Sequence, residues 1–157
     1  RDEFTGAALR QMQAGELFRF TNPVLKTYLE GKNQIFCTAA LATAGSNASL
    51  LLTFQINDPN VRRAFGNLAK NSLAVLTFTD GAAVSLYDAK MDEGLLDPGT
   101  RLVTYQAQYA LDAAAFRKVR NTELDKVRIA WSTGYEDYDV QQVDLLMRQA
   151  ACLGEKP

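Results

Sequence analysis

The chain contains no histidine, and that absence decides which reactions its other side chains can perform. Without imidazole there is no Ser-His-Asp or Cys-His arrangement, no His-ligated zinc, and no side chain whose ordinary pKa falls between about pH 5 and 8. Two cysteines, Cys37 and Cys152, are too distant in sequence for CxxC redox chemistry and too few for a Cys-rich zinc site. Serine with lysine can act as nucleophile and base, but no Ser-x-x-Lys occurs. Ala44-Gly45-Ser46-Asn47 lacks the second glycine and the lysine of a phosphate loop. Carboxylates remain. A pair of them hydrolyses a glycosidic bond without imidazole, yet eighteen acidic residues make many pairs and the sequence marks none, so no catalytic residue is assigned.

Two groupings could hold a ligand. Asp88, Asp92, Glu93 and Asp97 lie in and beside one stretch where carboxylates and backbone carbonyls could converge on Ca²⁺, but the spacing matches no calcium loop. A solvated acidic loop is the favoured reading, with no metal. Trp131 followed by Tyr135-Glu136-Asp137-Tyr138-Asp139 has the composition of a sugar-binding surface, aromatic faces for stacking and carboxylates for hydroxyls. Alternation turns Tyr138 to the face opposite Asp137 and Asp139, which favours packing for the aromatics as a set. If these residues meet a ligand, the contacts are Trp131, Tyr135 and Asp137.

Seventeen basic against eighteen acidic residues leave a net charge of −1, so no field draws nucleic acid or an anionic membrane. No apolar run approaches the ~20 residues that cross a bilayer, and no signal-peptide pattern is present. Beginning at Arg1 rather than Met, the chain reads as a mature or trimmed piece. Its length and its 47% hydrophobic content fit one domain over residues 1–157. Nothing in it calls for a cofactor.

The elements that must carry these residues centre on Asn71 to Asp88. Two runs rich in Leu, Val, Phe and Thr flank Asp80-Gly81, a dipeptide that suits a two-residue hairpin turn with both φ values positive. The first arm is apolar on both faces and is expected inside a sheet. Before it, the opening is balanced between a helix over Gly6 to Ala14 and an extended lead-in. Strands follow over Leu17 to Phe20, Val24 to Glu30, Gln34 to Ala42 and Leu50 to Ile56, the last with Leu50, Leu52, Phe54 and Ile56 on one face. Asp58-Pro59 starts a helix expected to reach Ala69. After a loop from Ala89 to Thr100, Arg101 to Ala110 is a strand with Val103, Tyr105, Ala107 and Tyr109 together. Asp112 caps a short helix, and Asp125 to Trp131 with Tyr135 to Asp139 form a second hairpin. A final helix from Val140 to Leu153 carries Val143, Leu146, Met147, Ala150 and Leu153 in one stripe, with Leu145 and Cys152 opposite.

In an oxidising compartment Cys37 and Cys152 would join, closing a loop of more than a hundred residues worth up to about 4–5 kcal/mol. In a reducing one both are small apolar groups. The position of Cys152 off the helix stripe favours the bridge.

Asp2-Glu3-Phe4-Thr5-Gly6, the LTFTDG hairpin, Tyr109-Ala110-Leu111-Asp112, Lys126-Val127-Arg128-Ile129, Gly134-Tyr135 and Asp137-Tyr138 together resemble small uncharacterised exported or lipid-anchored bacterial proteins. The resemblance implies a β-rich α+β domain in the envelope or outside the cell. It brings no active residues with it, and the Pro59 helix and the loop after Asp88 depart from its pattern. The expected architecture is α+β, a mainly antiparallel sheet built from hairpins with the C-terminal helix on one face, or alternatively a β-sandwich with peripheral helices. The expected role is a non-catalytic exported domain that binds or scaffolds a protein or glycan at the cell envelope. The alternative is a carboxylate-based glycan hydrolase.

Overall fold

A computed structural model of the protein describes residues 9–22, 34–58 and 60–153. In chain order its elements are β1 (Leu9–Gln11), β2 (Gly15–Phe20), β3 (Ile35–Ala44), β4 (Asn47–Ile56), α1 (Val61–Ala64), β5 (Leu73–Phe78), β6 (Ala83–Tyr87), β7 (Leu95–Leu96), β8 (Val103–Leu111), α2 (Ala113–Asn121), β9 (Leu124–Trp131), β10 (Gly134–Asp139) and α3 (Leu145–Leu153). The chain is rich in antiparallel sheet, with helices at its surface and one at the C-terminal end. The strands of the described residues form two sheets rather than one. The larger runs β1-β3-β4-β8-β7, with β2 also on β3, and the smaller runs β10-β9-β5-β6.

Alternation supplies the inner faces. Leu50, Leu52, Phe54 and Ile56 from β4, Val103, Tyr105, Ala107 and Tyr109 from β8, and Val127, Ile129 and Trp131 from β9 all meet in the core. Rings from the larger sheet and from α1's flank close on one indole. Phe54, Phe65 and Tyr105 each approach Trp131 edge-on at 5.1–5.2 Å, a favoured aromatic geometry. Trp131 Nε1 donates to Tyr138 Oη at 2.9 Å, satisfying a buried donor, and Tyr138 stacks on Phe18 at 4.8 Å.

The two sheets are joined at Asp88. Its backbone N–H donates to Ser72 O and its carbonyl accepts from Asn71, both alongside β5. The same residue forms an antiparallel bridge to Tyr109 in β8.

Several elements differ from the sequence expectations. The central hairpin forms, and β5 lies between β6 and β9, but its loop has three residues rather than two. Gly81 N donates back to Phe78 O and Phe78 N to Ala82 O. Only Gly81 takes a positive φ, at 91°, the form of a type I turn closed by a left-handed glycine. The helix after Asp58 is one turn long. Gly66, at φ 72°, ends it against the β9–β10 turn, where a Cβ would lie 2.0 Å from Ser132 Oγ. Asp58 serves its own turn, accepting from Asn60 N at 2.8 Å. Leu9 to Gln11 is strand, so the described part of the opening is not helical. The Val24 to Glu30 strand lies outside the described residues.

The last helix begins at Leu145, and Val140 N is already taken by Asp125 O. Its buried side is Leu145, Leu146, Gln149, Ala150 and Leu153, a stripe rotated from the one expected because Leu145 packs on the Gly15 backbone. Cys37 and Cys152 are both free thiols. Cys37 points into the core between the sheets while Cys152 faces solvent on the last turn of α3, so the expected disulfide does not form. Among the described residues no helix is long and apolar enough to cross a membrane.

Candidate functional site

The outer face of the larger sheet is built from side chains of unequal length, and a trough results. Its central strands present side chains shorter than glutamine outward, Ala40 on β3 and Leu51 and Thr53 on β4. Register places Ala40 beside Leu51 and Leu51 beside Gln108, with Thr53 beside Gln106 one row on. Cross-strand neighbours point to the same face, so Gln106 and Gln108 rise next to a low floor. Gln11 and Ala14 wall one side, and Lys90, Met91 and Asp92 wall the other, enclosing about 320 Å³. That volume is at the small end of the range for ligand pockets.

The far wall owes its place to Asp88. The carboxylate accepts from Lys90 N at 3.1 Å and Gln108 N at 3.3 Å through Oδ1. Oδ2 is buried without a hydrogen-bond partner, as is the hydroxyl of its bridge partner Tyr109. Burial raises the Asp88 pKa, opposed by those two N–H groups and reinforced by the nearby Asp92 charge. Asp92 uses both oxygens on backbone, Gly94 N at 2.7 Å and Gln106 N at 2.8 Å. Asp97 likewise accepts from Gly99 N. Each of these carboxylates closes its own turn, and no metal-holding group of three or more acidic, His or Cys side chains occurs among the described residues.

Polar groups in the trough are available. The carboxamides of Gln11, Gln106 and Gln108 and the ammonium of Lys90 have no side-chain partner among the described residues. Each carboxamide offers two donors and an acceptor.

A second cavity, about 480 Å³, opens at one end of the sheets between Phe20, Gln34, Asp58, Arg63 and Glu136. Glu136 follows the inward parity of β10, and burial first and the Asp58 charge second raise its carboxyl pKa. Asp58 is committed on both oxygens, to Asn60 N and to Gln34 Nε2 at 2.9 Å. Gln34 in turn holds Asn22 N at 2.9 Å.

The residues singled out from sequence separate. Trp131 is 4% exposed and presents no ring face to solvent. Tyr135 and Asp137 come together on the outer face of the smaller sheet around Arg128. The guanidinium lies 4.1 Å from the Tyr135 ring centre and grips Asp137 with two hydrogen bonds of 2.7 and 3.1 Å. That grip holds the Asp137 carboxyl below its ordinary range. The trough residues drew no attention in the sequence because glutamine and alanine mark no chemistry until pairing places them side by side. Compared with family models, with curated proteins and with solved structures, the chain matches none.

Proposed function

We propose that this is a non-catalytic exported binding domain of the bacterial cell envelope, and that its ligand is a glycan seated in the trough on the larger sheet. The observation that carries the reading is the lining: three uncommitted carboxamides and one lysine over a floor of Ala40, Leu51 and Thr53, with Asp92, the one carboxylate lining it among the described residues, accepting a backbone N–H on each oxygen. Such a surface can exchange hydrogen bonds with hydroxyls, and its described residues do not include the pair of carboxyl groups that glycosidic cleavage uses. The envelope location rests on the sequence resemblance. Titrating the protein with a panel of soluble neutral oligosaccharides, followed by amide chemical shifts, should move signals of Gln106, Gln108 and Lys90. Thr53→Trp fills the trough and should abolish those changes while leaving Tm within about 2 °C, the scale of a change under ~1 kcal/mol in a chain of this size. Unchanged binding by that variant, or no response to any sugar, overturns the reading. Tyr135 and Asp137 would form a separate contact on the other sheet, and Tyr135→Ala in the same titration distinguishes the two.

The hydrolase alternative has one observation in its favour. Glu136, whose carboxyl pKa is raised chiefly by burial, shares the end cavity with Asp58, and a pair of carboxyl groups is what glycosidic cleavage without imidazole uses. Against it, Asp58 already accepts two hydrogen bonds. Release of reducing ends from an oligosaccharide, lost in Glu136→Gln, would establish the enzyme and displace the binding role.

A further inference from the structure

We infer that the sugars accepted by the trough carry N-acetyl groups, an inference that rests on the trough being the ligand seat. Among the described residues no aromatic ring lines it, so none of them offers the stacking face that commonly holds a plain polyhydroxylated chain. Gln106 and Gln108 stand two residues apart on β8 and on the same face, which separates their Cα atoms by about 7 Å. A trans acetamide points its N–H and its C=O in opposite directions. With a hydrogen bond of about 2.9 Å on either side, it spans a gap of that order, donating to one carboxamide oxygen and accepting from the other carboxamide nitrogen. The acetyl methyl then faces Ala40 and Leu51, which share the Gln108 row. A hydroxyl in the same place engages one carboxamide and leaves the apolar floor uncovered.

A peptide backbone also offers amides, but two features favour the glycan. The floor is a sheet face whose backbone groups already pair across β3, β4 and β8, so a peptide cannot add as a further strand there. The described floor residues Ala40, Leu51 and Thr53 also share one trough rather than separate pockets for alternate side chains.

Chitin and cellulose tetrasaccharides share linkage and ring shape and differ at one position per ring, acetamido against hydroxyl, so they test the inference directly. Calorimetric titration of the full chain should give at least about tenfold tighter binding of the chitin fragment, the equivalent of one additional net hydrogen bond. Gln106→Ala and Gln108→Ala should each bring the two sugars to within about twofold of one another, with thermal unfolding of both variants unchanged. Equal affinities in the unaltered protein overturn the N-acetyl preference and leave the glycan-binding reading in place. No binding of either sugar removes both. Tighter binding of an N-acetylated tetra-alanine peptide replaces the glycan with a peptide and overturns the inference.

Discussion

Asp88 carries the most unusual side chain in the molecule, a fully buried carboxyl with one oxygen bonded to two backbone N–H groups and the other without a partner. Burial places its folded-state pKa above the ordinary aspartate value. A raised pKa means that the folded chain holds this proton more tightly than the unfolded chain. The stabilisation is therefore complete below the ordinary carboxylate pKa and is lost as pH rises through the raised value. Asp88→Asn keeps the acceptor for Lys90 and Gln108 and removes the ionisation. Its Tm at pH 7 should exceed that of the parent, and the difference should vanish near pH 3. A parent that is more stable at pH 7 than the variant would refute this. At the same scale, the two cysteines should titrate separately. One thiol, Cys152, should react with a disulfide reagent in the native protein and both after denaturation, because burial makes Cys37 inaccessible and pushes its pKa well up. Reductant should leave Tm unaltered.

Gln149 does the work of a missing piece of strand. β1 and β2 cover the two halves of the β3 edge and leave a gap between them at Ala40 and Leu41, where Leu41 N would otherwise be buried and unpaired. The α3 carboxamide reaches into that gap, accepting from Leu41 N at 2.7 Å and donating to Ala39 O at 3.1 Å. Gln149→Ala strands Leu41 N and should cost about 1–3 kcal/mol, the penalty for one unsatisfied buried group. Denaturant unfolding measures the loss, and faster hydrogen exchange at the Leu41 amide localises it. Much of the element plan was legible because it depends on neighbours in sequence. The alternation of Leu50, Leu52, Phe54 and Ile56 predicts the inner face of β4, and Asp112 caps α2 through Ala115 N at 2.7 Å, as a sequence-local signal should. The role of Gln149 was not legible, since its partners lie more than a hundred residues away. The length of α1 was not legible for a related reason: helical spacing of Val61, Ala64, Phe65 and Leu68 predicts a helix reaching Ala69, but packing of Gly66 on Ser132 stops it at Ala64.

At the scale of the whole molecule, pairing between distant segments makes the site. Ala40, Leu51 and Gln108 form one row only because β3, β4 and β8 are neighbours, and nothing in their types announces that. Trp131, conspicuous in the sequence, is central to the joint between the sheets and so belongs to the interior. The same arrangement makes the core depend on the last elements of the chain. Tyr138→Phe leaves Trp131 Nε1 buried without an acceptor, and a loss of about 1–3 kcal/mol in equilibrium unfolding is expected. A measured cost near zero would mean that the indole finds another acceptor.

Because one amide plugs the border of β3, the final helix also acts as a guard against unwanted company. A protease cut ahead of Leu145 would bare hydrogen-bonding groups that invite the matching border of a second molecule. Clipped protein should then gain mass in light scattering while the intact chain stays unchanged.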